Sequence, residues 1–305
     1  MRLPSDGIGP PNHSSIHLFP PLFPSSKKYA PPTDDERGLS MRRRLGYAPT
    51  EGTDLYYEIT GEGEPLVLLH AFSFDRRMWL RQREAFAGEY TVVTYDLRGF
   101  GKSALGEASY AHADDLAALL DQLGIERAAL LGVSLGGGAA INFAVTRSDR
   151  VRALVVVDPS LGGYKWSPQF VQAQAEVRTA CTTSGVDAAR ARWLAMPMFA
   201  EALANPHSAD SLRTMVGDYT GAQWMSVDRG RPFQPPAIQR LGDITAPTLV
   251  VVGEHDVSDF QAIADVLVRD IPNVRRATIE GAGHMVNLEA PERFNDVVLE
   301  FLRGV

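Results

Sequence analysis

One short turn, Gly132-Val133-Ser134-Leu135-Gly136, constrains the fold of this chain more than any other stretch. The apolar run at residues 128–133 predicts a strand buried on both faces, and residues 139–145 predict a helix directly behind the turn. Glycines two residues either side of Ser134 let strand and helix approach closely, while the serine is held in strained geometry with its hydroxyl exposed. The free N–H groups at the helix N-terminus then face that hydroxyl. The turn therefore predicts a nucleophilic serine, against the alternative of a glycine-rich turn with an idle serine.

Strand-like and helix-like segments alternate on both sides of this turn. Strands are predicted at residues 53–60, 66–69, 91–95, 128–133, 151–157, 247–252 and 274–279, and helices at residues 77–86, 113–123, 260–269 and 291–302. Such alternation is typical of an α/β protein with a mostly parallel sheet covered by helices on both faces. The alternation stops over residues 161–236, where helix-like pieces predict a lid above the carboxyl edge of the sheet. We expect the α/β core to comprise residues 45–160 and 237–305.

The first 44 residues differ in composition from the rest of the chain. Eight of the 20 prolines fall between Pro4 and Pro32, a density that disfavours helices and regular strand pairing. We therefore expect residues 1–44 to be a disordered or non-globular extension. The short apolar stretch at residues 16–23 is broken by prolines and is a poor signal peptide. Our hypothesis is that Met41 is the true start, or that residues 1–40 are dispensable.

Composition limits the function classes and partners. A formal net charge of -7 argues against nucleic-acid binding. The single cysteine, Cys181, excludes an intrachain disulfide and offers no metal cluster. No apolar run reaches the roughly 20 residues that a bilayer-spanning helix needs. We expect a cytoplasmic protein with a small-molecule substrate and no nucleic-acid or membrane partner; the sequence does not specify its oligomeric state.

A serine hydroxyl is a weak nucleophile and needs a base, which in turn needs a group to orient it. His284 lies in a glycine-rich loop after the predicted strand at 274–279, and Asp256 follows the predicted strand at 247–252. Both strand ends lie on the same edge of a parallel sheet as Ser134, in the chain order serine, acid, histidine. We assign Ser134 as nucleophile, His284 as general base and then acid, and Asp256 as the group that fixes the imidazole tautomer.

Each assignment has a competitor. Asp158, directly after the predicted strand at 151–157, is a second candidate for the acid. Asp256 could instead cap the following helix, although Asp259 is nearer the start of that helix. His255 and His70 compete with His284, but neither is placed as well.

The oxyanion that develops during acyl transfer needs donors fixed in advance. One predicted donor is the backbone N–H of Leu135, the residue after the serine. The second is the backbone N–H of Phe72, in the loop after the predicted strand at 66–69. The alternative is that His70 and Phe72 only pack against their surroundings.

With these residues assembled, residues 46–302 resemble the α/β-hydrolase superfamily, and in particular its small esterase, enol-lactonase and perhydrolase-like members. The matching pieces are the serine turn, His70-Ala71-Phe72, the Asp-x-Arg-Gly-x-Gly-x-Ser loop at residues 96–103, Gly-x-x-Asp at residues 253–256 and Gly-x-Gly-His-x-x-x-x-Glu-x-Pro at residues 281–291. The sequence contains no glycine-rich phosphate fingerprint and no metal-ligand spacing, so we expect no cofactor and no metal. The resemblance implies that Asp96 and Arg98 brace their loop without taking part in chemistry. One departure is Ala71, where the family usually has glycine; a positive φ there would cost alanine roughly 1 kcal/mol.

The predicted function is a serine hydrolase that cleaves a carboxylic ester through an acyl-enzyme at Ser134. A lactonase, a carbon–carbon bond hydrolase or a perhydrolase would use the same residues, and a catalytically silent ligand-binding fold is a further alternative. Aromatic and methionine side chains in the predicted lid favour a small, mostly apolar or aryl substrate, unless they form the core of the lid itself. These lid residues are Trp166, Trp193, Trp224, Met196, Met198, Met215 and Met225.

Overall fold

The computed structural model describes residues 43–225 and 229–305. The predicted extension over residues 1–44 and the hypothesis about Met41 therefore lie outside the described residues, apart from residues 43 and 44. The described chain forms a sheet in the order β1-β2-β4-β3-β5-β6-β7-β8. The strands are β1 (Arg44–Thr50), β2 (Thr53–Thr60), β3 (Glu64–Leu69), β4 (Tyr90–Tyr95), β5 (Ala128–Val133), β6 (Val151–Val157), β7 (Thr248–Gly253) and β8 (Val274–Ile279). Strands β3 to β8 are mutually parallel, and β2 pairs antiparallel with both β1 and β4.

Helices cover this sheet and fill the interval between β6 and β7. They are α1 (Leu80–Phe86), α2 (His112–Gln122), α3 (Leu135–Thr146), α4 (Pro168–Ser184), α5 (Val186–Leu194), α6 (Ala200–Ala204), α7 (Pro206–Asp218), α8 (Ala222–Met225), α9 (Ser258–Asp270), α10 (Val286–Glu289) and α11 (Pro291–Arg303). Helix α1 contacts α11, and α2 contacts α3. Within the described ranges, no helix has the length and apolar character to cross a membrane.

The central strands are apolar throughout because both faces of the sheet are covered. Every residue of β5 and of β7 is buried, which explains their continuous apolar runs in place of an alternating pattern. Helix α11 shows the complementary pattern, since its buried residues recur at helical spacing from Phe294 through Val298 to Phe301. The predicted fold class, a mostly parallel sheet between helices, is confirmed.

Two differences from the sequence prediction have clear causes. Strand β1 was missed because it is an edge strand in which only Ala48 is buried, so its sequence carries little apolar signal. Helix α3 begins at Leu135, four residues before the predicted start, and contains Gly136. Glycine disfavours helices, but a Cβ on Gly136 would lie 2.2 Å from the Leu69 carbonyl oxygen. The close approach of helix and strand overrides helix propensity here.

The chain between β6 and β7 carries helices α4 to α8. Helix α4 starts with a serine cap, since the Ser167 side chain accepts a hydrogen bond from the Phe170 N–H at 3.2 Å and Pro168 is the first helical residue. Asp259 of α9 accepts hydrogen bonds from the Ser167 N–H at 2.9 Å and from its hydroxyl at 2.6 Å. Asp259 lies nearer the start of α9 than Asp256 does, but it does not cap that helix, because its carboxylate accepts these hydrogen bonds from the start of α4.

Candidate active site

Ser134 occupies a strained turn between β5 and α3. Its backbone has φ +52° and ψ −112°, a conformation that non-glycine residues rarely adopt and that clusters at functional sites. A Cβ on Gly132 would lie 2.4 Å from the Gly136 carbonyl oxygen, so this glycine is required by the sharpness of the turn. The Ser134 N–H donates to the Val157 carbonyl at 3.0 Å, which ties the turn to the end of β6.

Asp256 and His284 lie together at the same sheet edge, where the sequence placed them. The His284 Nδ1 atom is 2.7 Å from the Asp256 Oδ2 atom, and both side chains are buried. The other carboxylate oxygen, Oδ1, accepts the Val257 N–H at 2.7 Å. Because the Asp256 carboxylate accepts from Nδ1–H, it fixes the tautomer in which Nε2 is free to take a proton.

The hydrogen bond that a Ser134–His284 pair would make is not formed in this structure. His284 Nε2 is buried and has no hydrogen-bond partner among the described residues. The ring of Phe260 lies against the imidazole, with centroids 4.1 Å apart, and Phe260 lines the same cavity as Ser134. Nucleophile and base are often further apart in unliganded enzymes than during catalysis. A buried, unpartnered ring nitrogen is itself costly and is typical of functional sites.

Glu289 holds the histidine loop from behind. Its two carboxylate oxygens accept the backbone N–H groups of Gly283, at 2.5 Å, and of Met285, at 2.9 Å. These two residues flank His284, so one carboxylate sets the backbone on both sides of the imidazole. Burial raises the pKa of Glu289, against the opposing effect of the two N–H donors. Glu289 is the glutamate of the Gly-x-Gly-His-x-x-x-x-Glu-x-Pro motif, and its spacing of five residues from His284 is the sequence signal for this role.

The two predicted oxyanion donors, Phe72 and Leu135, both line the cavity that contains Ser134. Leu135 is the first residue of α3, so its N–H has no partner within the helix. The Phe72 N–H donates no hydrogen bond to another described residue. Its side chain also packs against aromatic rings of Phe100, Trp193, Tyr219 and Trp224.

The Phe72 loop does not have positive φ at Ala71; the left-handed residue is Ser73, at φ +66°. Alanine at position 71 therefore carries no backbone penalty of the kind considered from the sequence. The Ser73 hydroxyl accepts the Trp193 indole N–H at 2.7 Å, which links this loop to α5.

Neither competing histidine is free to act as a base on Ser134. His70 is fully buried, with Nδ1 at 2.8 Å from the Ala71 carbonyl and Nε2 accepting the Leu97 N–H at 2.8 Å. Burial lowers the pKa of His70 to about 4, so it stays neutral and connects two loops. His255 is half exposed and faces the carboxylates of Glu201 and Glu254 at 3.4 and 3.6 Å.

Asp158, the competing acid, lies in the same buried cluster. It follows β6 directly, has φ +42°, and is fully buried. One side-chain atom each from Asp158, Asp256 and His284 lie within 4.8 Å of one another. This is close enough for a metal ion, but the His284 Nδ1 atom is already hydrogen-bonded to Asp256, and we assign no metal site. Burial and the neighbouring Asp256 charge raise the pKa of Asp158 well above its usual value.

The loop at residues 96–103 is held by internal ion pairs beside the site. The buried Arg98 guanidinium forms a bidentate pair with Asp115, at 2.6 and 2.9 Å. Asp96 accepts the backbone N–H groups of Arg76 and Lys102, at 2.9 and 2.8 Å. These contacts are structural and match the bracing role that the resemblance implied.

The cavity at Ser134 has a volume of about 300 Å³ and a wall rich in aromatic side chains. Trp166, Trp193, Trp224 and Met198 of the predicted lid contribute to this wall. The other three methionines do not line it: Met196 and Met215 are buried elsewhere, and Met225 is 58% exposed. The three lid tryptophans therefore line this cavity, whereas three of the four lid methionines lie outside it.

Comparison with known proteins gives a consistent result. A family model described as the alpha/beta hydrolase fold matches residues 64–291. A 2-hydroxy-6-oxononadienedioate/2-hydroxy-6-oxononatrienedioate hydrolase from Burkholderia vietnamiensis is 33% identical over 270 residues, which cover 83% of this chain and 93% of that protein.

Two solved structures resemble the chain equally well. A thermophilic esterase from Thermogutta terrifontis superposes with a TM-score of 0.74 at 29% identity, covering 86% of this chain and 98% of its own. The enol-lactonase from Burkholderia xenovorans also has a TM-score of 0.74, at 25% identity, covering 85% of this chain and 100% of its own. The resemblance inferred from the motifs is confirmed, and the chain belongs to the α/β-hydrolase superfamily and is a hydrolase.

Proposed function

We propose that this hydrolase cleaves a carboxylic ester of a small, mostly apolar or aryl substrate through an acyl-enzyme at Ser134. The observation that carries the proposal is the buried Asp256–His284 pair beside a strained serine turn. Its imidazole lies against Phe260, and Phe260 and Ser134 line one cavity. This arrangement supplies a nucleophile, a base and an orienting carboxylate.

The proposed reaction has two steps. In the first, Ser134 Oγ turns toward His284, transfers its proton to Nε2 and attacks the ester carbonyl carbon. The N–H groups of Leu135 and Phe72 stabilise the oxyanion, and Nε2–H protonates the departing alcohol as the carbon–oxygen bond breaks. In the second, Nε2 takes a proton from water, the hydroxide attacks the acyl-enzyme, and Ser134 leaves with that proton. Asp256 stabilises the imidazolium in both steps.

The cavity supports the substrate class. At about 300 Å³ it lies at the small end of ligand pockets, which run from roughly 300 to 1,000 Å³. Among the described lining residues, Arg178 is the one cation and there is no carboxylate. Aromatic walls favour an aryl or short alkyl group because they bury its apolar surface. Long polar polymers do not fit such a space.

Pre-steady-state hydrolysis of a p-nitrophenyl ester series tests the proposal. We expect short-chain esters to give a burst of p-nitrophenol approaching one per enzyme, followed by slower turnover. Ser134→Ala should abolish the burst and lower kcat at least about 1,000-fold. Ser160→Ala is the matched control, because Ser160 lines the same cavity and its hydroxyl donates only a long hydrogen bond, at 3.4 Å, to the Ser134 carbonyl; it should keep the burst even if KM changes. Activity on a highly charged ester, with none on short aryl esters, would contradict the substrate class.

A second candidate keeps the same residues but acts on a lactone or on a carbon–carbon bond beside a ketone. The similarity to an enol-lactonase and to a 2-hydroxy-6-oxononadienedioate hydrolase supports it. Ranking kcat/KM over matched aryl esters, lactones and diketones separates the two candidates. The ester proposal predicts the highest value for the esters.

A further inference from the structure

A second buried carboxyl lies behind the proposed catalytic acid, and the reaction described above does not use it. Asp158 follows the last residue of β6 and Asp256 follows the end of β7, and these strands are neighbours in the sheet. Asp158 is fully buried and adopts φ +42°, a positive φ that few non-glycine residues adopt, although aspartate does so more often than most. A buried, strained acid outside the three reacting side chains needs a physical explanation.

The hydrogen bonds of the two carboxyls are unequal. Asp256 accepts the His284 Nδ1–H and the Val257 N–H, both at 2.7 Å. Asp158 accepts one backbone donor, the Gly253 N–H, at 3.2 and 3.4 Å from its two oxygens. The donors to Asp256 are at shorter distances, so they stabilise a negative charge on Asp256 more than the Gly253 N–H stabilises one on Asp158.

The groups that face Asp158 are acidic apart from one imidazole. They are Asp256 and Glu289, with His284 in the same cluster. Within the described chain, no lysine or arginine forms an ion pair with Asp158. Two carboxyls whose oxygens lie within 4.8 Å of each other at a buried site do not both ionise, because neither their repulsion nor their desolvation is compensated. One proton is therefore retained, and the donor set puts it on Asp158.

We propose that Asp158 is a positioning residue for Asp256: its protonated carboxyl donates a hydrogen bond to the Asp256 carboxylate and holds that carboxylate against His284. The inference rests on the proposed catalytic roles of Asp256 and His284. Asp158 does not touch the reacting atoms. It fixes the direction in which Asp256 accepts from His284 Nδ1–H, and it draws part of the Asp256 charge away from the imidazole.

Two substitutions distinguish a protonated from an ionised Asp158. Asp158→Asn keeps a neutral N–H donor, so kcat/KM should stay within about threefold of the parent and the acid limb of its pH profile should not move. Asp158→Leu removes the donor at similar volume. It should lower kcat about 10- to 100-fold, the range expected for a hydrogen bond to a charged group. It should also move the acid limb of the pH profile to higher pH. Without the hydrogen bond from Asp158, the full Asp256 charge faces His284 and stabilises the imidazolium more.

Two outcomes of these substitutions would overturn the proposal. If Asp158 is ionised, Asp158→Asn removes a negative charge near His284. The acid limb of the pH profile then moves to lower pH. If Asp158 only fills space, Asp158→Leu changes the melting temperature but leaves the pH profile in place, which also overturns it.

Infrared difference spectra at pH 7 give a readout that does not depend on activity or on a Leu variant that folds. The parent should show the carbonyl stretch of a protonated carboxyl, and Asp158→Asn should lose it. Asp270→Asn changes a partly exposed aspartate at the end of α9 that pairs with Arg269; it is the matched control and should retain the band. A parent spectrum without this band refutes the proposal. Failure of the proposed function would appear separately, as an unchanged burst in Ser134→Ala.

Discussion

The contacts of Glu289 give a sharp prediction about how the histidine loop is positioned. Glutamine at this position keeps one carbonyl oxygen but replaces the other acceptor with an NH2 group. Glu289 accepts the Gly283 and Met285 N–H groups. The variant therefore loses one of these two charge-assisted hydrogen bonds, and its NH2 group faces a backbone N–H that it cannot accept. Such a bond contributes about 1.5–3 kcal/mol. The backbone on one side of His284 is then no longer held.

The loss of this hydrogen bond should lower both the melting temperature and kcat. A loss of about 2 kcal/mol lowers the melting temperature by about 3–4 °C in a protein of this size. A displaced imidazole should lower kcat by about tenfold or more, since each 1.4 kcal/mol in the barrier is tenfold in rate. KM should change little, because Glu289 does not line the cavity at Ser134.

Thermal unfolding and steady-state kinetics on the best aryl ester measure these effects in one set of samples. Glu292→Gln is the matched control, since Glu292 is an exposed glutamate of α11 whose side chain is 80% exposed in its pair with Arg81. It should leave both quantities unchanged. A Glu289→Gln variant that melts lower but turns over at the parental rate would refute the view that Glu289 positions the imidazole.

Three further predictions follow from the buried polar contacts and the turn. The pKa of His70 is about 4 in the folded chain against 6.5 in the unfolded chain. The neutral imidazole therefore makes its full contribution to the free energy of unfolding above pH 6.5. That contribution falls by about 3 kcal/mol as the pH drops from 6.5 through 4. Urea unfolding between pH 4 and 7 should show this slope, and its absence would contradict the neutral, buried assignment. Gly136→Ala should abolish activity and destabilise the fold in thermal melts, because its Cβ would lie 2.2 Å from the Leu69 carbonyl oxygen; a fully active variant would show that the turn can relax. Trp193→Phe removes the 2.7 Å hydrogen bond to Ser73. It should lower kcat/KM severalfold and the free energy of unfolding by about 1 kcal/mol. Unchanged values for both would show that this contact does not hold the Phe72 loop.

The sequence predicted the features that local pattern and strand order determine. Continuous apolar runs identify buried parallel strands, and the ends of β5, β7 and β8 meet at one edge, so Asp256 and His284 could be expected to come together. The glycines of the serine turn carry their own signal, because close backbone approach excludes a side chain.

What the sequence could not predict depends on contacts between distant side chains. Asp259 lies near the start of its own helix in the sequence, but in the fold its carboxylate accepts the Ser167 hydroxyl of α4's N-cap. The left-handed residue of the Phe72 loop is Ser73 and not Ala71, which no local preference indicates. The paired acids Asp158 and Asp256 look like alternatives in a linear sequence, but in the fold they are neighbours. Strand β1 was missed because its buried surface is small.

The most direct test of the account is covalent labelling of the nucleophile. After incubation with a fluorophosphonate probe, peptide mass spectrometry should place one adduct on Ser134 in the parent protein. Labelling should be lost in Ser134→Ala and slowed at least about 100-fold in His284→Ala, because the serine then lacks its base. A folded, catalytically active parent that takes up no probe at Ser134, or labels at the parental rate without His284, would contradict the central claim.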